Sequence, residues 1–124
     1  MDILPTFANL IGAKIPEDRV IDGKDIMPVL LEGTDSPYEY FFYSHWGTLG
    51  TVRWKDWKLR IINREVALYN LKSDISEKSN LKDQSPEIVA HLKKAMKEFD
   101  AEMISNVRPA GHVDSPKILT KAIQ

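Results

Sequence analysis

The chain has 124 residues, of which 43% are hydrophobic and 28% charged, and its formal net charge is −1 at pH 7. This composition is typical of one folded domain with a modest core, and it lacks the excess positive charge that binding to a phosphate backbone requires. The absence of cysteine excludes disulfides, thiolate zinc sites and a cysteine nucleophile. No run approaches the roughly 20 apolar residues that span a bilayer.

The N-terminal third is predicted to contain two short helices. Residues 3–11 carry apolar side chains at helical spacing, with Asp2 as the expected N-terminal cap and Gly12 at the end of the helix. Asp25 is the expected cap of a second helix over residues 26–31. The chain opens directly on a helix, which favours a piece of a longer protein.

The following part changes to the alternation that is typical of β-strands. Four runs are predicted as strands, at residues 38–45, 49–54, 57–63 and 66–71. Because only short turns separate them, the simplest topology is an antiparallel meander.

A long amphipathic helix is predicted after the sheet. Ser85 is its expected cap, Pro86 takes the first helical position, and apolar residues recur at intervals of three and four between Ile88 and Ile104. The sequence therefore predicts an α+β fold: a four-stranded antiparallel sheet packed on a long C-terminal helix and preceded by two short helices. Residues 106–124 are predicted to form an extended polar tail.

Aromatic, cationic and imidazole groups come together in the first predicted hairpin. His45 ends an aromatic strand beside Trp46, and Arg53 lies on the next strand. We interpret His45 as a strand-end residue packed against aromatic rings, with a position facing a cleft as the alternative. His91 and His112 have no carboxylate or second histidine at a ligand spacing and are interpreted as surface residues.

Two further groups of charged residues invite a functional interpretation. Arg53, Lys58 and Arg60 are interpreted as a solvated face whose stems cover Trp54 and Trp57, with an anionic sugar or sulfate as the alternative occupant.

The acidic residues Asp74, Glu77 and Asp83 lack the order of a calcium loop. Asp74 with Glu77 is interpreted as a capping box for one helical turn. From the residues alone, no complete active site is predicted.

Four stretches follow one another along the chain: DILPT at 2–6 with Gly12 after it, DGKDIMPVL at 22–30, TVRWKDWK at 51–58 and LYNLKSDISEKSNL at 68–81. In this order they resemble the C-terminal part of arylsulfatase-type enzymes, the sulfatase branch of the alkaline phosphatase superfamily, over about residues 2–104. Lys55 stands where the family has a hairpin glycine, Ile75 where it often has proline, and Asp25 where it has a serine cap.

The resemblance implies that the catalytic chemistry of such an enzyme lies outside this chain. In the family, the nucleophile is a formylglycine made within a C/S-x-P-S-R motif, beside a calcium ion, in a larger N-terminal α/β domain. This sequence has no such motif. The resemblance thus implies no catalytic or metal residue here and an inactive isolated chain. Residues 1–36 would close the N-terminal domain, and residues 37–105 would form the C-terminal subdomain.

The implied role is to complete the fold and shape the rim of the substrate cleft, with His45, Trp46 and Arg53 as rim candidates. The implied partners are the N-terminal α/β domain and a sulfated sugar or aryl substrate, with no nucleic acid and no membrane span. Two alternatives stay open: a free-standing protein-interaction module, and the C-terminal part of a related phosphonate or phosphate ester hydrolase.

The apolar side of the first helix would be covered in the family by the N-terminal domain. In this chain we expect it to fold back on the sheet or to pair two chains into a homo-oligomer. Sulfatases of this type are often exported or lysosomal, and the sequence leaves the location of this chain open.

Overall fold

The structure is a computed structural model and describes residues 1–107. The elements, in chain order, are α1 Ile3–Leu10, α2 Met27–Glu32, β1 Tyr40–His45, β2 Thr48–Trp54, β3 Trp57–Ile62, β4 Glu65–Asn70 and α3 Pro86–Asn106. The predicted α+β fold is confirmed. Beyond α3, most of the predicted tail, with His112, lies outside the described residues.

The four strands form one antiparallel sheet in the order β1-β2-β3-β4, which confirms the predicted meander. Val52, Leu59 and Leu68 are opposite one another on three neighbouring strands and are fully buried. Because side chains alternate along a strand, these three residues lie on the same face of the sheet. The core is therefore on one face of the sheet.

Helix α3 covers this face with the stripe that its periodicity predicts. Leu92 and Met96, one turn apart, are its buried residues and belong to the same core cluster. Phe99 continues the stripe and stacks on Phe42 of β1, with the ring centroids 4.1 Å apart. Ser85 is at the cap position, but its hydroxyl makes no capping hydrogen bond.

The N-terminal segment is held together by long-range polar contacts. The Asp2 carboxylate does not cap α1; it accepts hydrogen bonds from the Tyr38 hydroxyl and, at 2.9 Å, from the backbone N–H of Lys24. Thr6, which is buried, accepts a bond from the N–H of Ile26 at 3.2 Å. These bonds join α1 to the segment before α2 and to the start of the sheet.

Gly23, Asp25 and Gly33 in this segment each have a structural role. A Cβ at Gly23 would overlap the main chain of Met1 and Asp2, so only glycine permits this close approach. Asp25 accepts a hydrogen bond from the N–H of Met27 at 2.9 Å, and Gly33 ends α2 in the left-handed conformation at φ 68°. Because α2 starts at Met27, one residue later than predicted, Ile26 and not Asp25 is at its N-terminal cap position, and no side chain caps the helix there.

The loop between β4 and α3 is built differently from the predicted capping box. The Asp74 carboxylate accepts a bond from the N–H of Ser79 at 2.8 Å, whereas Glu77 forms an ion pair with Lys58 at 2.6 Å. Glu77 also has a positive φ of 53°, which a helical turn does not allow. The capping-box interpretation is therefore wrong.

The apolar side of α1 is open to solvent. We call this surface the α1 face; each of its residues is more than half exposed, and they are Ile3, Leu4, Phe7, Leu10 and Ile11. The expectation that it folds back on the sheet is wrong, because the buried side of α1 is the opposite one. Pairing of two chains stays a prediction.

None of the helices in the described part of the chain combines the length and the apolar character needed to cross a bilayer.

Candidate functional site

The tip of the β1–β2 hairpin presents His45 and Trp46 together. His45 pairs with Thr48, and the two residues of the turn between them, Trp46 and Gly47, both have positive φ, at 50° and 76°. Two positive φ angles are the mark of a type I′ turn, which matches the twist of a hairpin. The turn leaves Trp46 92% exposed, in an edge-to-face contact with the His45 ring at 5.9 Å between centroids.

An open cleft of about 400 Å³ lies beside this turn, a volume within the range of small-molecule sites. We call it the hairpin cleft; its lining residues are Gly47, Thr48, Leu49, Met96, Lys97 and Asp100. Trp46 is not one of the lining residues; it directly precedes Gly47, the first of them in the chain. The cleft thus lies where the hairpin meets the middle of α3.

Arg53 is not part of this arrangement. It lies five residues along β2 from Thr48, which at about 3.3 Å per residue places it roughly 16 Å from the hairpin tip. It pairs with Phe41 and Lys58 in the neighbouring strands, and its Nε donates to the carbonyl oxygen of Lys55 at 3.3 Å. The structure therefore brings two of the three rim candidates together and leaves Arg53 at the other end of β2.

The positive group on the sheet is largely engaged by its own neighbours. Lys58 is paired with Glu77, and the Arg60 guanidinium lies 5.9 Å from the centre of the Tyr69 ring. These side chains lie on the face opposite the core, whereas Trp54 and Trp57 pack against the core. The expectation that the arginine and lysine stems cover the two tryptophans is therefore wrong.

A cluster around His91 was missed by the sequence analysis. His91 Nε2 is 3.0 Å from the Tyr40 hydroxyl, and its ring is 4.7 Å from that of Trp54. The Trp54 indole N–H donates to Glu39 at 3.3 Å, and burial, together with the charge of Glu39, raises the pKa of Tyr40. A signal was available, because His91 is three residues after Ile88 and so borders the apolar stripe.

The acidic residues of the loop after β4 do not form a cation site. Backbone N–H groups of Ser79 and Lys78 lower the pKa of Asp74, and its partner in the sequence motif, Glu77, is neutralised by Lys58. Within residues 1–107, no group of three or more acidic or histidine side chains is placed to hold a metal ion. Asp74 and Glu77 therefore do not fit a calcium ion.

Comparison with known proteins gives relatives of one kind. No protein-family model matches the chain. The steryl-sulfatase of Homo sapiens is 54% identical over 56 residues, which are 44% of this chain and 9% of that protein. The arylsulfatase of Hemicentrotus pulcherrimus is 44% identical over 66 residues, which are 53% of this chain and 12% of that protein. The chain is related to the sulfatases.

Solved structures extend the likeness over most of the sulfatase-related chain. A protein designated BT33336S-sulf, from work on glycosaminoglycan metabolism by Bacteroides thetaiotaomicron, matches 81% of this chain with a TM-score of 0.68 and 26% identity. Ps i-CgsB, solved in complex with k-i-k-neocarrahexaose, matches 88% with a TM-score of 0.69 and 25% identity. The predicted resemblance to the C-terminal part of arylsulfatase-type sulfatases is confirmed.

The chain spans only part of these sulfatases. The matched segments make up about a tenth of the curated relatives, and the chain covers about a quarter of the solved structures. The roles of His45, Trp46 and Arg53 stay predictions.

Proposed function

We propose that this chain acts as the C-terminal subdomain of a sulfatase, completing the fold of the enzyme and forming part of the rim of its substrate cleft. The observation that carries the proposal is the identity to steryl-sulfatase and arylsulfatase, together with the fold match to larger sulfatase chains. In this proposal, hydrolysis of the sulfate ester takes place on residues of an N-terminal α/β domain. Formylglycine and calcium belong to that domain, and the isolated chain is inactive.

The exposed α1 face supports the proposal that this chain binds a larger protein domain. Its five apolar side chains form a contiguous surface on one side of a single helix, since they recur at helical spacing, and each is more than half exposed. Apolar surface of this kind is favourably removed from water by a protein that fits it. We assign the N-terminal α/β domain as this partner, because the other side of α1 is already fixed to the rest of the chain by Thr6.

The hairpin tip supports the second half of the proposal. Trp46 and His45 are at the tip of the β1–β2 hairpin, and both are exposed. A hairpin tip can reach over a neighbouring domain without disturbing its own sheet. In this proposal His45 and Trp46 form one part of the rim, and Arg53 forms a separate part about a strand's length away.

The test is a chimeric enzyme in which residues 2–107 replace the matching segment of the Hemicentrotus pulcherrimus arylsulfatase. We expect it to hydrolyse p-nitrophenyl sulfate, whereas the 124-residue chain alone does not. Charging the α1 face with Phe7→Asp and Ile11→Asp should lower the yield of active enzyme at least about tenfold, because two buried charges cost several kcal/mol. Ile75→Asp, at a residue that is 78% exposed in a loop, is the matched control and should leave activity unchanged.

Two results would contradict the proposal. Turnover of the sulfate ester by the chain alone would show that it contains its own active site. An inactive chimera whose chain component binds an unrelated protein through the α1 face would favour the free-standing interaction module, which the same exposed apolar face also supports. Faster hydrolysis of p-nitrophenyl phosphate than of the sulfate by the natural full-length enzyme would favour the phosphate ester hydrolase instead.

A further inference from the structure

Trp46 presents a large apolar side chain that does not stabilise the isolated fold. The side chain is 92% exposed, so its surface gains almost nothing from burial. Its positive φ of 50° belongs to the type I′ turn of the hairpin, and this turn holds the indole at the tip, away from the core. An exposed tryptophan at a fixed position is a feature that binding surfaces use.

The hairpin cleft beside Trp46 contains unpaired polar groups of both signs. Lys97 and Asp100 lie three residues apart on α3 and therefore on the same side of the helix. Neither side chain forms a hydrogen bond or an ion pair with any residue in the described range 1–107. The Thr48 hydroxyl lines the same cleft. An ammonium, a carboxylate and a hydroxyl-bearing residue thus line one open space, and the exposed Trp46 is next to its first lining residue in the chain.

We infer that the hairpin cleft and Trp46 form a saccharide subsite. One face of a pyranose ring consists of C–H groups and is apolar, and it stacks on an electron-rich indole. The Trp46 indole would receive that face. The Lys97 ammonium would bind a sulfate or carboxylate group on the sugar, and the Asp100 carboxylate would accept a hydrogen bond from a sugar hydroxyl. The ligand class is an oligosaccharide that carries anionic groups.

The inference rests on the proposed function and narrows its substrate class. In the proposed function the reacting sulfate ester is bound by another domain, and a compact aryl sulfate bound there has no second ring to place in the hairpin cleft. An oligosaccharide is long enough to place one ring at the reacting centre and a second ring on Trp46. A subsite at the hairpin tip therefore favours a polymeric sugar over an aryl or steroid substrate.

The experiment is a titration of the 124-residue chain with a chondroitin sulfate hexasaccharide, followed by the NMR signals of the three indole N–H groups. We expect the signal of Trp46 to move and those of Trp54 and Trp57 to stay, because the latter two pack against the core. Trp46→Ala should weaken binding by about two- to tenfold, which is the scale of one aromatic contact. Trp46→Phe should retain part of the affinity, since it keeps an aromatic ring.

Matched variants separate the subsite from general surface effects. Tyr43→Ala removes another exposed aromatic side chain from the same hairpin, and Lys94→Gln removes a neighbouring charge from α3 that already pairs with Glu98. Both should bind as the unchanged chain does. Lys97→Gln should weaken binding of the sulfated hexasaccharide severalfold and should not affect binding of its desulfated form.

Three outcomes would overturn the inference: no shift of the Trp46 signal up to about 10 mM hexasaccharide, equal shifts with p-nitrophenyl sulfate, or equal losses in the control variants. These outcomes are distinguishable from failure of the proposed function. A chimera that hydrolyses p-nitrophenyl sulfate while the chain ignores the hexasaccharide contradicts the subsite alone. Binding of the hexasaccharide together with an inactive chimera contradicts the sulfatase role and leaves the saccharide site in place.

Discussion

At the scale of single residues, the hairpin turns use side chains where glycine would be less strained. Lys55, in the position of the glycine of the sulfatase pattern, has φ 52°. The chain thus keeps the conformation that the glycine provides and accepts a residue with a Cβ in it. The β3–β4 turn does the same, because Asn63 and Arg64 have φ angles of 52° and 68°. Two positive angles identify a type I′ turn, for which Asn-Gly is the preferred pair.

Arg64→Gly is expected to stabilise the fold. A left-handed conformation costs a residue with a Cβ about 1–2 kcal/mol, and part of this gain is offset by the larger entropy of glycine in the unfolded chain. We expect the free energy of unfolding in urea to rise by about 1 kcal/mol. Arg64→Ala is the control, since alanine keeps the Cβ and should give no gain. An equal gain from alanine would show that the arginine charge, and not the backbone, is responsible.

At the scale of the elements, periodicity predicted the strands and helices, while the capping assignments were less successful. Asp2 and Ser85 were expected to cap the helices that follow them, but the Asp2 carboxylate bonds to Tyr38, 36 residues away, and the Ser85 hydroxyl makes no cap. Capping rules consider donors two or three residues ahead. A carboxylate near a folded neighbour can find a stronger donor that is distant in sequence, and no local rule contains that information.

Asn80 also bonds to partners that are distant in sequence and that no local rule predicts, since its side chain binds the free edge of β4. Its Oδ1 accepts from the N–H of Leu68 at 3.0 Å, and its Nδ2 donates to the carbonyl oxygen of Val66 at 3.2 Å. The amide side chain thus continues the hydrogen-bonding pattern where a fifth strand would lie. Asn80 belongs to the stretch LYNLKSDISEKSNL, by which the sequence resembles the sulfatases. The structure adds that this stretch covers a sheet edge.

Asn80→Ala is expected to destabilise the fold by about 2 kcal/mol, because it leaves the N–H of the fully buried Leu68 without its side-chain partner. Urea unfolding measures the loss, and hydrogen exchange at the Leu68 amide localises it. Asn80→Asp keeps the acceptor oxygen and removes the donor, so it should lose less. If the alanine and aspartate variants have equal free energies of unfolding, the bond from the Leu68 N–H does not account for the loss, and the bond to the Val66 carbonyl does.

At the scale of the whole molecule, the fold keeps two of the three rim candidates together and separates the third. His45 and Trp46 are adjacent in the chain and stay together. Arg53 is separated from them by the length of β2, a distance that the sequence analysis did not take into account. The His91 cluster went unnoticed because it needs the packing of α3 across β1 and β2. The relative position of residues within one turn can be predicted from the sequence. Contacts between residues of different packed elements, such as α3 and the sheet, can be found only once the fold is known.

The connection between the N-terminal helices and the sheet also depends on packing, and it should respond to acid. The hydrogen bond from the Tyr38 hydroxyl, followed by that from the N–H of Lys24, lowers the pKa of Asp2 below its usual value of 3.8. A carboxyl group whose pKa is lowered by folding stabilises the fold above the pKa of the unfolded chain. That contribution disappears as the pH falls through the lower pKa of the folded state.

Asp2→Asn should therefore be less stable than the unchanged chain at about pH 6, and the difference should shrink as the pH falls below the usual pKa of an aspartate and through the lower pKa of Asp2 in the folded chain. Urea unfolding over a series of pH values measures the difference. Asp74 has a lowered pKa for a separate reason, its bonds from the N–H groups of Ser79 and Lys78. Asp74→Asn should therefore show the same trend without loosening α1, which hydrogen exchange at the Ile26 amide reports. A difference for Asp2→Asn that persists unchanged at low pH would mean that the contact is steric, and that charge does not hold the helical segment to the sheet.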